Sequence, residues 1–172
     1  MSAPSDPTSS SSDPTSSSRE PSSRGSAPSS DVSTAALYAM PRNLVLAASA
    51  GTGKTHALVG VVLHLLLGGR PGGAVDAARI VATTFSRKAA AEIRARVTAE
   101  VEKLVLSPAS SFYAPGLRET IGRASDAELT KRARKALARL PHARFGTLHS
   151  FATGVVQRYA VEIGLGPGFE LA

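Results

Sequence analysis

The stretch Asn43-Leu44-Val45-Leu46-Ala47-Ala48-Ser49-Ala50-Gly51-Thr52-Gly53-Lys54-Thr55 decides the fold. From Ala48 on it runs as a small residue, four variable residues and then Gly-Lys-Thr, the phosphate-cradling loop. The apolar residues 43–47 predict a buried strand, and the run from Lys54 to Leu67 predicts a helix. A Gly-rich turn between a strand and a helix is the context in which this pattern has mechanical meaning. It implies a loop that holds the polyphosphate of a nucleotide.

Each residue type has a physical task there. Backbone N–H groups along such a turn form an anion nest, and the helix N-terminus adds partial positive charge. Gly51 and Gly53 lack a Cβ, so the backbone can take unusual dihedrals and approach phosphate oxygens. Lys54 supplies a point charge for the β- and γ-phosphates. Thr55 supplies a hard oxygen ligand for Mg²⁺. The candidate nucleotide-binding residues are Ala48, Ser49, Ala50, Gly51, Thr52, Gly53, Lys54 and Thr55. Lys54 and Thr55 are the candidates for chemistry, and Thr55 for the metal.

Outward from this loop, Gly68 to Gly73 reads as a stop, and residues 79–85 as a second buried strand. Ser86 is a fitting N-cap for a helix from Arg87 to about Leu106, with Ala90, Ile93, Val97, Val101 and Leu104 on its apolar face. Glu92 follows Lys88 by one turn, which predicts a solvated i,i+4 pair. Pro108 and Pro115 bracket a loop. Ser125-Asp126-Ala127-Glu128 has the form of a capping box for a helix to about Leu140, apolar through Leu129, Ala133, Leu137 and Leu140. Residues 144–147 read as a third strand. Residues 150–163 read as a last helix, packing through Ala152, Val155, Val156, Tyr159 and Ile163, with Gly164 at its C′ position. Strands alternating with helices predict an α/β fold with a parallel sheet covered on both faces.

Composition bounds the rest. The chain has 172 residues, no cysteine and a formal net charge of +7. Disulfides, thiolate metal sites and cysteine nucleophiles are excluded. Residues 1–35 are rich in Ser and Pro and poor in apolar residues, which predicts a disordered tail. Roughly 135 residues remain to build a core. No apolar run reaches membrane-spanning length, and a cytoplasmic location is expected. The basic residues form three groups, the third being Lys131, Arg132, Arg134, Lys135, Arg139 and Arg144. A positive surface favours polyanions, nucleic acid first; a solvated helical face is the plain alternative.

Three segments together resemble one family, the superfamily 1 DNA helicases of the UvrD/RecB type. They are the stretch from Asn43 to Thr55, the stretch from Thr84 to Arg96, and Phe145-Gly146-Thr147-Leu148-His149-Ser150-Phe151. The basic helical insertion between the second and third is more like RecB/AddA than the compact UvrD members. The resemblance implies an incomplete RecA-like P-loop NTPase domain over residues 40–172, carrying the first three motifs. It implies ATP and Mg²⁺ as cofactors. It also implies that Thr84, Phe85, Ser86, Thr147 and His149 face single-stranded DNA at the carboxyl ends of their strands. Phe85 is equally readable as core, and His149 as a residue that caps or bridges loops. His56, His64 and His142 match no motif.

Several family features are missing. The Gln that reads adenine is not evident near Leu37-Tyr38-Ala39-Met40. The Asp-Glu pair at a strand end, the Gln-Gly-Asp sensor and the second domain with its arginines are absent. Asp126 and Glu128 sit at a helix start, where capping is their expected task. The resemblance therefore implies the N-terminal portion of an ATP-dependent helicase of recombination and repair, inactive alone and completed by the missing remainder or a partner subunit. The alternatives are a fragment that only binds polyanions, or a different P-loop enzyme such as a small kinase.

Overall fold

A computed structural model of the chain describes residues 38, 43, 45, 51 and 53–166. The expected tail, most of the first strand, and Ala48, Ser49, Ala50 and Thr52 lie outside the described residues. Among the described residues the order is α1 (Lys54–Leu67), β1 (Val81–Thr84), α2 (Arg87–Leu106), α3 (Ala114–Thr120), α4 (Asp126–Arg139), β2 (Arg144–Thr147) and α5 (Leu148–Arg158), with short 3-10 turns at Ala77–Arg79, Pro108–Ser110 and Leu140–His142.

α1 stops at Gly68, whose left-handed φ of 87° lets its N–H return to the His64 carbonyl. α2 begins where Ser86 Oγ accepts the Ala89 N–H at 3.1 Å. It buries Ala90, Ile93, Val97, Val101 and Leu104, the stripe its periodicity predicts. Glu92 pairs with Arg96 at 2.6 Å rather than with Lys88. The acid then precedes the base along the helix, the better order for an i,i+4 pair. α4 is capped by Ser125, which accepts the Glu128 N–H. The reciprocal half of the capping box is not made: Glu128 instead binds Arg132 at 2.6 Å.

The core lies between α1, α2 and α4. Leu63 and Leu67 of α1, Val97, Val101 and Leu104 of α2, and Leu129 and Ala133 of α4 are fully enclosed, and Leu117 of α3 joins them. Arg132 donates to the Leu67 carbonyl at 2.9 Å and so satisfies the end of α1 from α4. His64 is enclosed in the same core and stacks on Tyr38 with ring centroids 3.9 Å apart. β1 and β2 pair in parallel, with Val81 opposite Arg144 and Thr84 opposite Thr147.

Several expectations need correction. β1 is shorter than residues 79–85, because Ala77–Arg79 forms a 3-10 turn capped by Asp76. Of the expected first strand, Asn43 and Val45 are described; neither is in a strand, and Val45 is 89% exposed. The loop bracketed by Pro108 and Pro115 stands up to Tyr113, and an unexpected helix, α3, starts at Ala114 with Pro115 in its first turn. Pro is tolerated there because the N–H it lacks would have no intrahelical acceptor. In α4 Ala136 is buried with Leu129 and Ala133, Leu140 is buried in the turn that follows, and the expected Leu137 is half-buried against the same core.

The last helix spans Leu148–Arg158 rather than 150–163, and none of its residues is buried. Tyr159 and Ile163 are 46% and 58% exposed. Its apolar stripe exists and the helix lies beside β1 and β2, but Val156 is only half-buried and the rest of the stripe is exposed. Cover of the sheet is likewise one-sided there: Ala82 is buried, whereas Val81 and Thr83 on the opposite face are exposed. No helix among the described residues is long and apolar enough to cross a membrane.

Candidate functional site

α1 starts without a side-chain cap. Its N-cap is Gly53, at a left-handed φ of 87°, and its first turn carries no acidic residue. Gly51 is also left-handed, at φ 79°. Any other residue would be strained at either position. The first intrahelical bond runs from the Ala57 N–H to the Gly53 carbonyl at 2.9 Å. The amides before Ala57 are therefore donors that the helix itself does not use. Lys54 and Thr55 stand in this first turn, Lys54 exposed and Thr55 half-buried. First-turn amides, positive dipole end, ammonium and hydroxyl are a donor set that fits a phosphate group and one oxygen ligand of Mg²⁺. No cluster of three or more His, Cys, Asp or Glu side chains suited to a metal exists among the described residues.

This helix start has a brace that the sequence did not reveal. The Tyr113 hydroxyl donates to the His56 carbonyl at 3.0 Å and lies 2.8 Å from His56 Nδ1. A hydroxyl has one proton, so the Nδ1 side must supply the other. The two rings stack at 4.6 Å, and Phe112 meets His56 edge-on at 4.5 Å. Burial, with the nearby Tyr38 and Glu100 in support, pushes the Tyr113 hydroxyl up to about 12, so it remains a proton donor. The brace comes from a segment that reads as plain loop, and it grips the residue after Thr55.

The second cluster lies at the carboxyl ends of the strands. The parallel register sets Thr84 and Thr147 side by side; α5 follows Thr147 directly, and α2 follows Thr84 after Phe85 and Ser86. The Thr84 hydroxyl is engaged twice with Ser86, donating to its carbonyl at 2.9 Å and accepting from its N–H at 3.0 Å. Ser86 Oγ caps α2, and Thr147 Oγ1 caps α5 by accepting the Ser150 N–H at 3.0 Å. Between these caps Phe85 projects into solvent, 99% exposed. That excludes its reading as core. His149 is exposed in the first turn of α5, and capping there falls to Thr147.

The electrostatics at this end are one-signed. α2 and α5 carry no acidic residue in their first turns, and α2 opens with exposed Arg87 and Lys88. Cations at a helix N-terminus oppose its dipole. They are well placed only if an anion shares that end. These two residues extend the expected contact set, and their signal was their position directly after the Ser86 cap.

With this geometry in view, comparison with known proteins is specific. The family model described as UvrD/REP helicase N-terminal domain matches residues 30–172. The chain therefore belongs to the UvrD/REP helicase N-terminal domain family. Among individual proteins, it is 32% identical over 136 residues to an ATP-dependent helicase/nuclease subunit of Streptococcus sanguinis, covering 79% of this chain and 9% of that protein. It is 33% identical over 147 residues to the protein of the same name from Geobacillus kaustophilus, covering 83% of this chain and 10% of that one. The chain thus spans about a tenth of the length of the curated relatives it matches.

Proposed function

We propose that this chain is the ATP-binding front part of an ATP-dependent DNA helicase of the AddA kind, working in the cytoplasm in recombination and repair. In this reading residues 40–172 form a partial RecA-like P-loop domain, and residues 1–35 form an unfolded tail. The observation that carries it is the start of α1: a left-handed Gly53 in place of a capping side chain, no acid in the first turn, and Lys54-Thr55 next in line.

The residues divide the work by their chemistry. The first amides of α1 and the Lys54 ammonium hold phosphate oxygens, with Ala48, Ser49, Ala50, Gly51, Thr52 and Gly53 forming the turn around them. Thr55 gives Mg²⁺ one oxygen ligand. Thr84, Ser86, Thr147 and His149 meet the backbone of single-stranded DNA, and Phe85 stacks on a base. The Thr84 hydroxyl, committed to Ser86, acts by shaping the turn, which leaves Ser86 and Thr147 as the outward donors.

Turnover requires more than binding. Both described strands end in threonine, and no carboxylate follows either to hold the metal or orient water. Phosphoryl transfer depends on such groups and on cations at the developing charge. The isolated chain therefore binds nucleotide and hydrolyses it negligibly; the remainder of the helicase, or a partner subunit, supplies what is missing. Family membership leaves the small-kinase alternative without support.

Calorimetry with Mg·ATP tests the reading. Saturable heat from the folded chain, lost on Lys54→Ala, is the expected result. Equal affinity in the variant would leave only the polyanion-binding alternative. Helicase-like hydrolysis by the chain alone would overturn the division between binding and turnover.

A further inference from the structure

Four of the six residues of the third basic group, Lys131, Arg132, Lys135 and Arg139, take no part in the sites described above, and the fold gathers them at the opposite end of the sheet. The segment Ala74–Ala77 leads into β1, and α4 leads through the Leu140–His142 turn into β2, so both lie at the amino ends of the strands. Arg139 and Asp76 join them across 2.8 Å. A groove of about 520 Å³ opens between α4 and this segment, with Lys131, Arg132, Lys135 and Arg139 on its α4 wall. On the other side of the same segment a second groove, of about 460 Å³, carries Arg70 and Arg79.

Six cations thus flank one short segment, and the two grooves hold two carboxylates. Asp76 is taken by Arg139 and Glu128 by Arg132. Lys131, Lys135 and Arg79 make no ion pair among the described residues. Lys131, Lys135 and Arg139 stand at i, i+4 and i+8, so they form a row with about 6 Å between neighbours. Neither groove is lined by an aromatic ring. A single-strand track needs rings to stack on bases. A cationic row without rings reads only phosphates.

We propose that this face is a second nucleic-acid site, distinct from the single-strand site at the carboxyl ends, and that its ligand is the phosphate backbone of duplex DNA. Lys131, Lys135 and Arg79 neutralise phosphates directly. Arg139, held by Asp76, ties α4 to the segment that carries Arg79, and Arg132, paired with Glu128 of its own helix, ties α4 to the end of α1 through the Leu67 carbonyl. The site is independent of the nucleotide reading, since no residue of α1's first turn belongs to it.

Fluorescence anisotropy of the full chain with a labelled duplex of about two helical turns tests this at low salt. Lys131→Glu combined with Lys135→Glu should weaken duplex binding at least about tenfold and reduce the salt slope by about two. Lys131→Gln with Lys135→Gln should show an intermediate loss with an unchanged melting temperature, because both side chains are exposed. Lys54→Ala should leave duplex affinity intact, so failure of the nucleotide reading would remain separable. Unchanged duplex binding in the charge-reversed chain overturns the proposal. So does equal loss for oligothymidylate. Polyglutamate competing as well as duplex at equal charge would also overturn it and assign the face to an acidic protein.

Discussion

Replacing Phe85 with alanine separates folding from function at one residue. The ring is 99% exposed, on the turn between β1 and α2, so it removes almost no apolar surface from water in the free chain. Burying a Phe side chain fully is worth about 1.5–3 kcal/mol; here almost none of that is collected, and Phe85→Ala should leave the melting temperature unchanged. A base stacked on such a ring contributes about 1–3 kcal/mol. At a factor of ten per 1.4 kcal/mol, loss of the ring should weaken oligothymidylate binding roughly 5- to 150-fold. Phe85→Tyr should restore most of it, since the π-face is kept. Anisotropy with labelled oligothymidylate reads the affinity, and thermal unfolding reads stability. A lowered melting temperature with unchanged DNA affinity would refute the reasoning, because it would make Phe85 a packing residue.

Leu129→Ala empties a fully enclosed position between α4 and α2 and should destabilise the chain by about 2–5 kcal/mol, read by denaturant unfolding. Ser125→Ala should cost about 1 kcal/mol through the lost α4 cap, whereas Glu128→Gln should cost less than that, since Glu128 makes only a half-exposed ion pair with Arg132. His64 donates from Nδ1 to the Gly60 carbonyl at 2.7 Å, and its buried Nε2 has no hydrogen-bond partner among the described residues. Burial holds its pKa below the ordinary 6.5, against the pull of the Gly60 and Gly116 carbonyls. The unfolded chain therefore binds the proton first. His64's contribution to stability is complete above pH 6.5 and declines as pH falls from there through the folded pKa. His64→Leu should flatten that part of the stability–pH curve; an unchanged slope would exclude His64 as its source.

The parts legible in the sequence are those whose partners are local. α1 stops at Gly68 and α2 starts after the Ser86 cap and runs to Leu106, as their local signals imply, and the α2 stripe from Ala90 to Leu104 is the buried one. β2 likewise spans the expected four residues. The parts missed depend on position or on distant neighbours. Pro115 reads as a breaker, yet in a first turn it costs no hydrogen bond, so α3 was invisible. Glu92 had a base one turn away on each side, and apolar periodicity says nothing about which it takes. The stripe of α5 is real, but a stripe says that a face suits cover, not what covers it. In the site, Gly53, Lys54 and Thr55 announce themselves by spacing. The grip of Tyr113 on His56 spans 57 residues and leaves no pattern in the chain.

Backbone NMR of the ¹⁵N-labelled chain, titrated with Mg·ATP, tests the central claim most directly. The account predicts saturable shifts concentrated at the amides of Gly53, Lys54, Thr55 and His56, absent in Lys54→Ala, with Lys131 and Lys135 unmoved. Shifts confined to α4, or none at all from a folded chain, would contradict it.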